Sequence, residues 1–112
     1  MIYTSYFAHY TGDKGVAICL GAPWWKGERY PNLAPYKELL AWWKSVEHTQ
    51  QNIAIYVDCY RQYVLSNLDV HKVATELDGK VLLCFEKPSD FCHRQVVAQW
   101  LRDNGYDCEE FK

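Results

Sequence analysis

The chain has 112 residues, enough for one domain with a packed core and too few for two. Its hydrophobic content of 49% against 23% charged residues excludes a disordered chain, and five Trp, nine Tyr and four Phe make it rich in rings. A formal net charge of −2 excludes a global attraction to nucleic acid or to an anionic membrane, so either partner would need a local basic patch.

Ile2 to Phe7 is β-prone and reads as a first strand, and Gly15 to Gly21 is a short apolar run between glycines that suits a buried strand. Ala22 to Pro31 holds two Pro, a Gly and the pair Trp24-Trp25, which predicts an aromatic loop. Pro35 suits a helix's first turn, and Tyr36, Leu39, Leu40 and Trp43 follow at i, i+3, i+4 and i+7. After a polar break at His48 to Asn52, a second helix is marked by Ile53, Val57, Tyr60 and Val64 on one stripe. Asp69 is placed to cap a third helix carrying Val70, Val73, Ala74 and Leu77, which Asp78-Gly79 ends. Val81 to Glu86 is apolar without alternation until its last residue, as in a parallel strand covered on both faces. A fourth helix spans about Phe91 to Asn104, with Val96, Val97, Trp100 and Leu101 toward the core, and Tyr106 to Phe111 is a last short strand.

Strand, helix and strand over Val81 to Phe111 form a βαβ unit. The expected class is α/β: one domain over residues 1–112, with a small, at least partly parallel sheet flanked by about four helices. The N-terminal residues lack the basic and apolar regions of a signal peptide, and no apolar run is long enough to cross a bilayer. A soluble, cytoplasmic protein with no membrane partner is therefore expected. The five cysteines (19, 59, 84, 92 and 108) follow no disulfide framework and read as reduced thiols.

The turn between the Val81 strand and the fourth helix concentrates the chemistry. Leu82, Cys84 and Glu86 share one face of the strand, and Glu86 reaches its carboxyl edge, where open α/β sheets bind ligands. With Ser89 or Asp90 as cap, Cys92 falls in the helix's first turn, where free N–H groups favour a thiolate. His93 supplies proton transfer near neutrality, and Arg94 supplies a positive fork for phosphate or carboxylate. Each member also has a structural reading. Cys92 lies four residues before Val96 and fits the helix's core face, Cys84 sits mid-strand among apolar residues, Glu86 could be a cap or ion-pair partner, and single histidines are often structural. A carboxylate ending an apolar strand is the hardest of these to assign to packing.

Cys84, Cys92, His93 and Glu86 are acceptable metal ligands by type, but their spacing matches no zinc pattern, and no metal or cofactor is expected. Neither a Walker A loop nor a Gly-x-Gly-x-x-Gly fingerprint occurs. Tyr56, Tyr60, Arg61 and Tyr63 crowd one helix; the stripe reads first as core, with Tyr60 kept as a candidate ligand-binding ring. Trp24 and Trp25 form either a stacking platform or an anchor for their loop.

Leu33-Ala34-Pro35 opening a helix, the Tyr56 and Tyr60 pair, Val81 to Pro88, and Phe91-Cys92-His93-Arg94 leading to Trp100-Leu101 together resemble the bacterial and phage family known as domain of unknown function 488. The resemblance covers most of the chain. It implies a compact α/β domain with its site at Cys84, Glu86, Cys92, His93 and Arg94, and brings no activity with it. Larger members carry an Arg- and Ser-containing loop after the first strand that has no clear counterpart here.

Three functions follow from the residues. The first is a pocket for an anionic small ligand, a nucleotide or nucleic-acid component, in an enzyme using Glu86, Cys92 and His93 as catalytic groups and Cys84, Arg94 and Tyr60 for binding. The second is a module that binds a nucleotide, nucleic acid or protein without turnover. In the third, Glu86, His93 and Arg94 form a buried network that orders the turn.

Overall fold

The computed structural model describes residues 1–112. Five strands lie in the order β3-β2-β4-β1-β5, all parallel: β1 is Ile2–Tyr6, β2 Gly15–Ala17, β3 Glu28–Arg29, β4 Val81–Cys84 and β5 Cys108–Glu110. Four helices surround them: α1 Lys37–Ser45, α2 Gln50–Tyr63, α3 Val70–Leu77 and α4 His93–Asp103. The α/β class holds, and the sheet is parallel throughout.

β4 is central, and its four residues are all buried, which is why the run shows no polar alternation. It pairs with β1 in the register Tyr6↔Cys84 and with β2 in the register Ala17↔Leu83. β4, α4 and β5 make the expected βαβ unit, with β1 lying between its two strands. Every strand therefore ends on the same edge. β2 is tightly packed at Gly15, where a Cβ would meet Leu83 Cδ1 at 2.6 Å and Trp25 Cη2 at 3.1 Å.

Local signals place the helices. The Asp69 carboxylate accepts from the His71 and Lys72 amides at 3.0 and 3.4 Å, capping α3. Gly79, at φ +80°, turns the chain from α3 into β4, and Gly105, at φ +89°, does the same after α4. α2 begins at Gln50, ahead of the first apolar residue of its stripe, because Thr49 Oγ1 accepts from the Asn52 amide at 3.1 Å. Leu33, Leu39, Trp43, Tyr56, Tyr60, Leu77, Leu82, Val97 and Leu101 join one core cluster. No helix is long and apolar enough to cross a membrane.

Two of the boundaries that differ from those read in the sequence bear on the site. β4 stops at Cys84, so Glu86 stands in a bend beyond the strand. α4 starts at His93 with Cys92 itself at the N-cap, in extended conformation (φ −145°, ψ 149°), not with Ser89 or Asp90. The displacement has a packing cause. Phe91 is held out of the helix by edge contacts to Trp43 and Tyr56, with centroids 5.4 and 5.1 Å away.

Candidate functional site

The carboxyl ends of β2 and β4, the N-terminus of α4 and one wall each from α1 and α2 enclose a cavity of about 130 Å³. Its walls are mostly apolar and aromatic, with Trp43 from α1, Tyr56 from α2, and Phe85 and Phe91 from the β4–α4 turn. The polar groups reaching it are Cys19, Lys44, Cys84, Glu86, Cys92 and His93. A small apolar cleft with a few convergent polar groups, at the carboxyl edge of a parallel sheet, is the usual form of a ligand site.

At the cavity floor the sulfurs of Cys84 and Cys92 meet in a disulfide arrangement, in place of the separate thiols read from the sequence. The ligand atoms of Cys84, Glu86 and Cys92 all lie within 4.8 Å of one another. His93 Nδ1 is 3.6 Å from Cys92 Sγ, while its Nε2 is 2.6 Å from the Ile18 carbonyl. A carbonyl only accepts, so Nε2 carries the proton and Nδ1 presents a lone pair to the sulfur. Burial, reinforced by the Arg94 charge and opposed by the Ile18 carbonyl, pulls the His93 pKa down to about 4, so the ring is neutral near pH 7.

Glu86 is half-buried and borders both this cavity and a wider groove beside His48 and Asp90. Its backbone carbonyl accepts from Arg94 Nη1 at 2.5 Å, whereas its carboxylate makes no hydrogen bond or ion pair within the chain. Lys44 stands on the same cavity wall and is exposed.

Arg94 and Tyr60 lie behind the cavity. Arg94 is 0% exposed. Its Nε and Nη2 donate to the two oxygens of Glu110 at 3.2 and 3.0 Å, and Nη1 donates to Cys84 Sγ at 2.9 Å. Thr4 Oγ1 donates to the same carboxylate at 2.7 Å, and the Tyr6 ring lies 5.7 Å from the guanidinium. The fork is thus fully engaged within the protein. Tyr60 is fully buried, its hydroxyl donates to the Leu33 carbonyl at 2.6 Å, and its ring lies 5.6 Å from that of His93.

The structure therefore brings Cys84, Glu86, Cys92 and His93 to one cavity, with Arg94 and Tyr60 bracing it from behind. Four contributors were not singled out in the sequence: Trp43 and Lys44 on the walls, Glu110 as partner of Arg94, and the Ile18 carbonyl on His93. The only sequence signal for Glu110 is an acid near the end of a strand read as adjacent in the βαβ unit. Trp24 and Trp25 divide their roles. Trp25 Nε1 donates to the Glu28 carbonyl at 2.9 Å and pins the loop, while Trp24 is 55% exposed. The same loop is braced by Arg29, whose guanidinium donates to the carbonyls of Gly21 and of Ala22, the latter held at φ +61°.

A family model described as the active DUF488-N3 subclade, DUF488-N3a, matches residues 20–105. That span includes every cavity residue named above except Cys19. No curated protein and no solved structure matches the chain.

Proposed function

The chain belongs to the DUF488 family, and we propose that its cavity binds a nucleotide or nucleic-acid component and that Glu86 carries acid–base chemistry on it. One observation carries this reading: the Glu86 carboxylate is half-buried at an aromatic cavity and is not neutralised by any partner in the chain. A structural carboxylate at that depth would be expected to hold an amide, a hydroxyl or a cation. Trp43, Tyr56 and Phe91 supply flat surfaces for a base or sugar, and Lys44 supplies a positive charge for an anionic end. Once the Cys84–Cys92 pair is reduced, Cys92 and His93 are the further catalytic groups, since Nδ1 faces the sulfur and can take the proton of its thiol. Arg94 and Tyr60 act as positioning residues, and Cys84 completes the cavity floor.

The test is titration with a panel of nucleosides and nucleoside monophosphates, read at the indole N–H signal of Trp43 by NMR. We expect some members to shift that signal, and Glu86→Gln to keep the shift while abolishing any turnover. No perturbation by any member would refute the reading.

A second reading, a binding module without turnover, is favoured by one feature. Phe7, Trp24, Trp25 and Phe85 form an aromatic cluster, with centroids 4.9 to 5.3 Å from Phe7, and Trp24 and Phe85 are exposed. Phe85 also lines the cavity. Loss of affinity for single-stranded nucleic acid in Trp24→Ala, with no turnover in the parent protein, would favour the module.

A further inference from the structure

We infer that Cys84, Cys92 and His93 form a binding site for a single thiophilic divalent metal ion, zinc by preference, with Glu86 standing at its open side.

The donor set is gathered from a strand end, a helix cap and the first residue of that helix, which is why the chain spacing resembles no zinc motif. Geometry supplies what spacing lacks. The ligand atoms of Cys84, Glu86 and Cys92 lie within 4.8 Å of one another, and His93 Nδ1 is 3.6 Å from Cys92 Sγ. Donors on one tetrahedral zinc, each bound at about 2.0 to 2.3 Å, stand roughly 3.3 to 3.8 Å apart, as His93 Nδ1 and Cys92 Sγ do. The two sulfurs, joined here as a disulfide, hold an ion only once reduced and parted. The Cα atoms of Cys84 and Cys92 are 7.5 Å apart, wider than the roughly 4.4 to 6.8 Å that a disulfide normally spans. That backbone spacing suits two thiolates flanking a shared ion.

The surrounding groups are arranged as outer partners of such an ion. The Ile18 carbonyl, 2.6 Å from Nε2, fixes the tautomer in which Nδ1 is free to ligate, as the second nitrogen of a metal-bound histidine requires. Arg94 Nη1, 2.9 Å from Cys84 Sγ, supports that sulfur as a thiolate, and Arg94 is itself balanced by Glu110. Cys92 sits at the positive end of α4. Two thiolates and a divalent cation sum to zero charge, so the buried floor is neutral when occupied. Three protein ligands leave a fourth position facing the cavity, the form that catalytic zinc sites take. Binding is balanced by protons: each of the two thiols loses its proton to solvent as its sulfur ligates, and His93, already neutral at Nδ1, loses none.

The Glu86 position makes this consistent with the nucleotide reading, but the metal site does not depend on it. The experiment uses the full chain, reduced with dithiothreitol, stripped with chelator and titrated anaerobically with Co²⁺ and then Zn²⁺. We expect one Co²⁺ per chain, bound with release of about two protons, a thiolate-to-cobalt charge-transfer absorption, and displacement by one equivalent of Zn²⁺ without further proton release. Cys92→Ser, at the helix cap, and Cys84→Ser, on the strand, should each weaken binding by more than about 100-fold, beyond what loss of an outer partner costs. Circular dichroism confirms that each variant is folded, and Cys92→Ser serves alone if the buried strand position does not tolerate serine. Absence of charge transfer in the reduced parent, or equal absorption in Cys92→Ser, overturns the inference. Cobalt binding in a protein that no nucleotide perturbs leaves the metal site standing and removes the nucleotide reading.

Discussion

The turn between β4 and α4 has two faces, and they are built in opposite ways. On the inner face Arg94 is fully buried, both oxygens of Glu110 are used, Thr4 adds a third donor, and the Tyr60 hydroxyl ends on the Leu33 carbonyl. On the cavity face the Glu86 carboxylate has no partner in the chain, and the His93 Nδ1 lone pair points at a sulfur. Buried charge on the inner face is tolerable because it is completely paired, whereas unpaired polar groups on the other face border a cavity that a ligand or ion can enter. Residue type does not separate the two faces. Partnership does.

The inner face should fail first and most under alkali. Burial pushes the Tyr60 phenol well above its ordinary value and the Cys108 thiol up to about 11. The unfolded chain gives up these protons near their ordinary values, while the folded chain retains them. Stability is therefore intact below about pH 8.5 and declines as pH rises toward 11. Thermal unfolding followed across that range reads the decline, and Cys108→Ala should flatten its lower part. Glu110→Ala comes next. It leaves a fully buried guanidinium unpaired, at a cost of about 3 kcal/mol in denaturant unfolding, the low end for a broken buried pair because the Glu110 side is partly wet. A loss below about 1 kcal/mol would erase the distinction between the faces. Tyr60→Phe is smaller, about 1 kcal/mol, from the Leu33 carbonyl left without its donor.

The legibility of the two faces differs for the same reason. Elements set by local chemistry were readable: Asp69 as a cap, Gly79 and Gly105 as stops, and Val81 to Cys84 as a strand without polar alternation. The short strand β3 was not, because Glu28 and Arg29 are both exposed and two residues carry no periodicity. The start of α4 was misplaced because Phe91 is held by rings on α1 and α2, which no local pattern records. Chemically reactive types pointed to Cys84, Glu86, Cys92 and His93, and the structure gathers these four. Arg94 looked like an anion fork because its sequestering partner, Glu110, lies 16 residues onward on another strand. Lys44 and Trp43 read as parts of an amphipathic helix, and only the packing of α1 over the strand ends turns them into cavity walls.

The smallest expected effect bears most directly on the comparison. Glu86→Gln keeps the shape of the side chain and removes its charge. Because the carboxylate makes no ion pair or hydrogen bond within the chain, nothing in the fold loses a partner, and stability should stay within about 0.5 kcal/mol of the parent or rise slightly. The Arg94 contact survives the change, since it is made to the backbone carbonyl of Glu86 and not to its carboxylate. A loss of several kcal/mol in chemical denaturation would mean that the carboxylate neutralises a buried group after all, placing Glu86 with Arg94 and Glu110 on the structural face. Unchanged stability together with altered cobalt absorption or lost turnover would place it on the working face, where a charge is kept at the cavity because something that enters needs it.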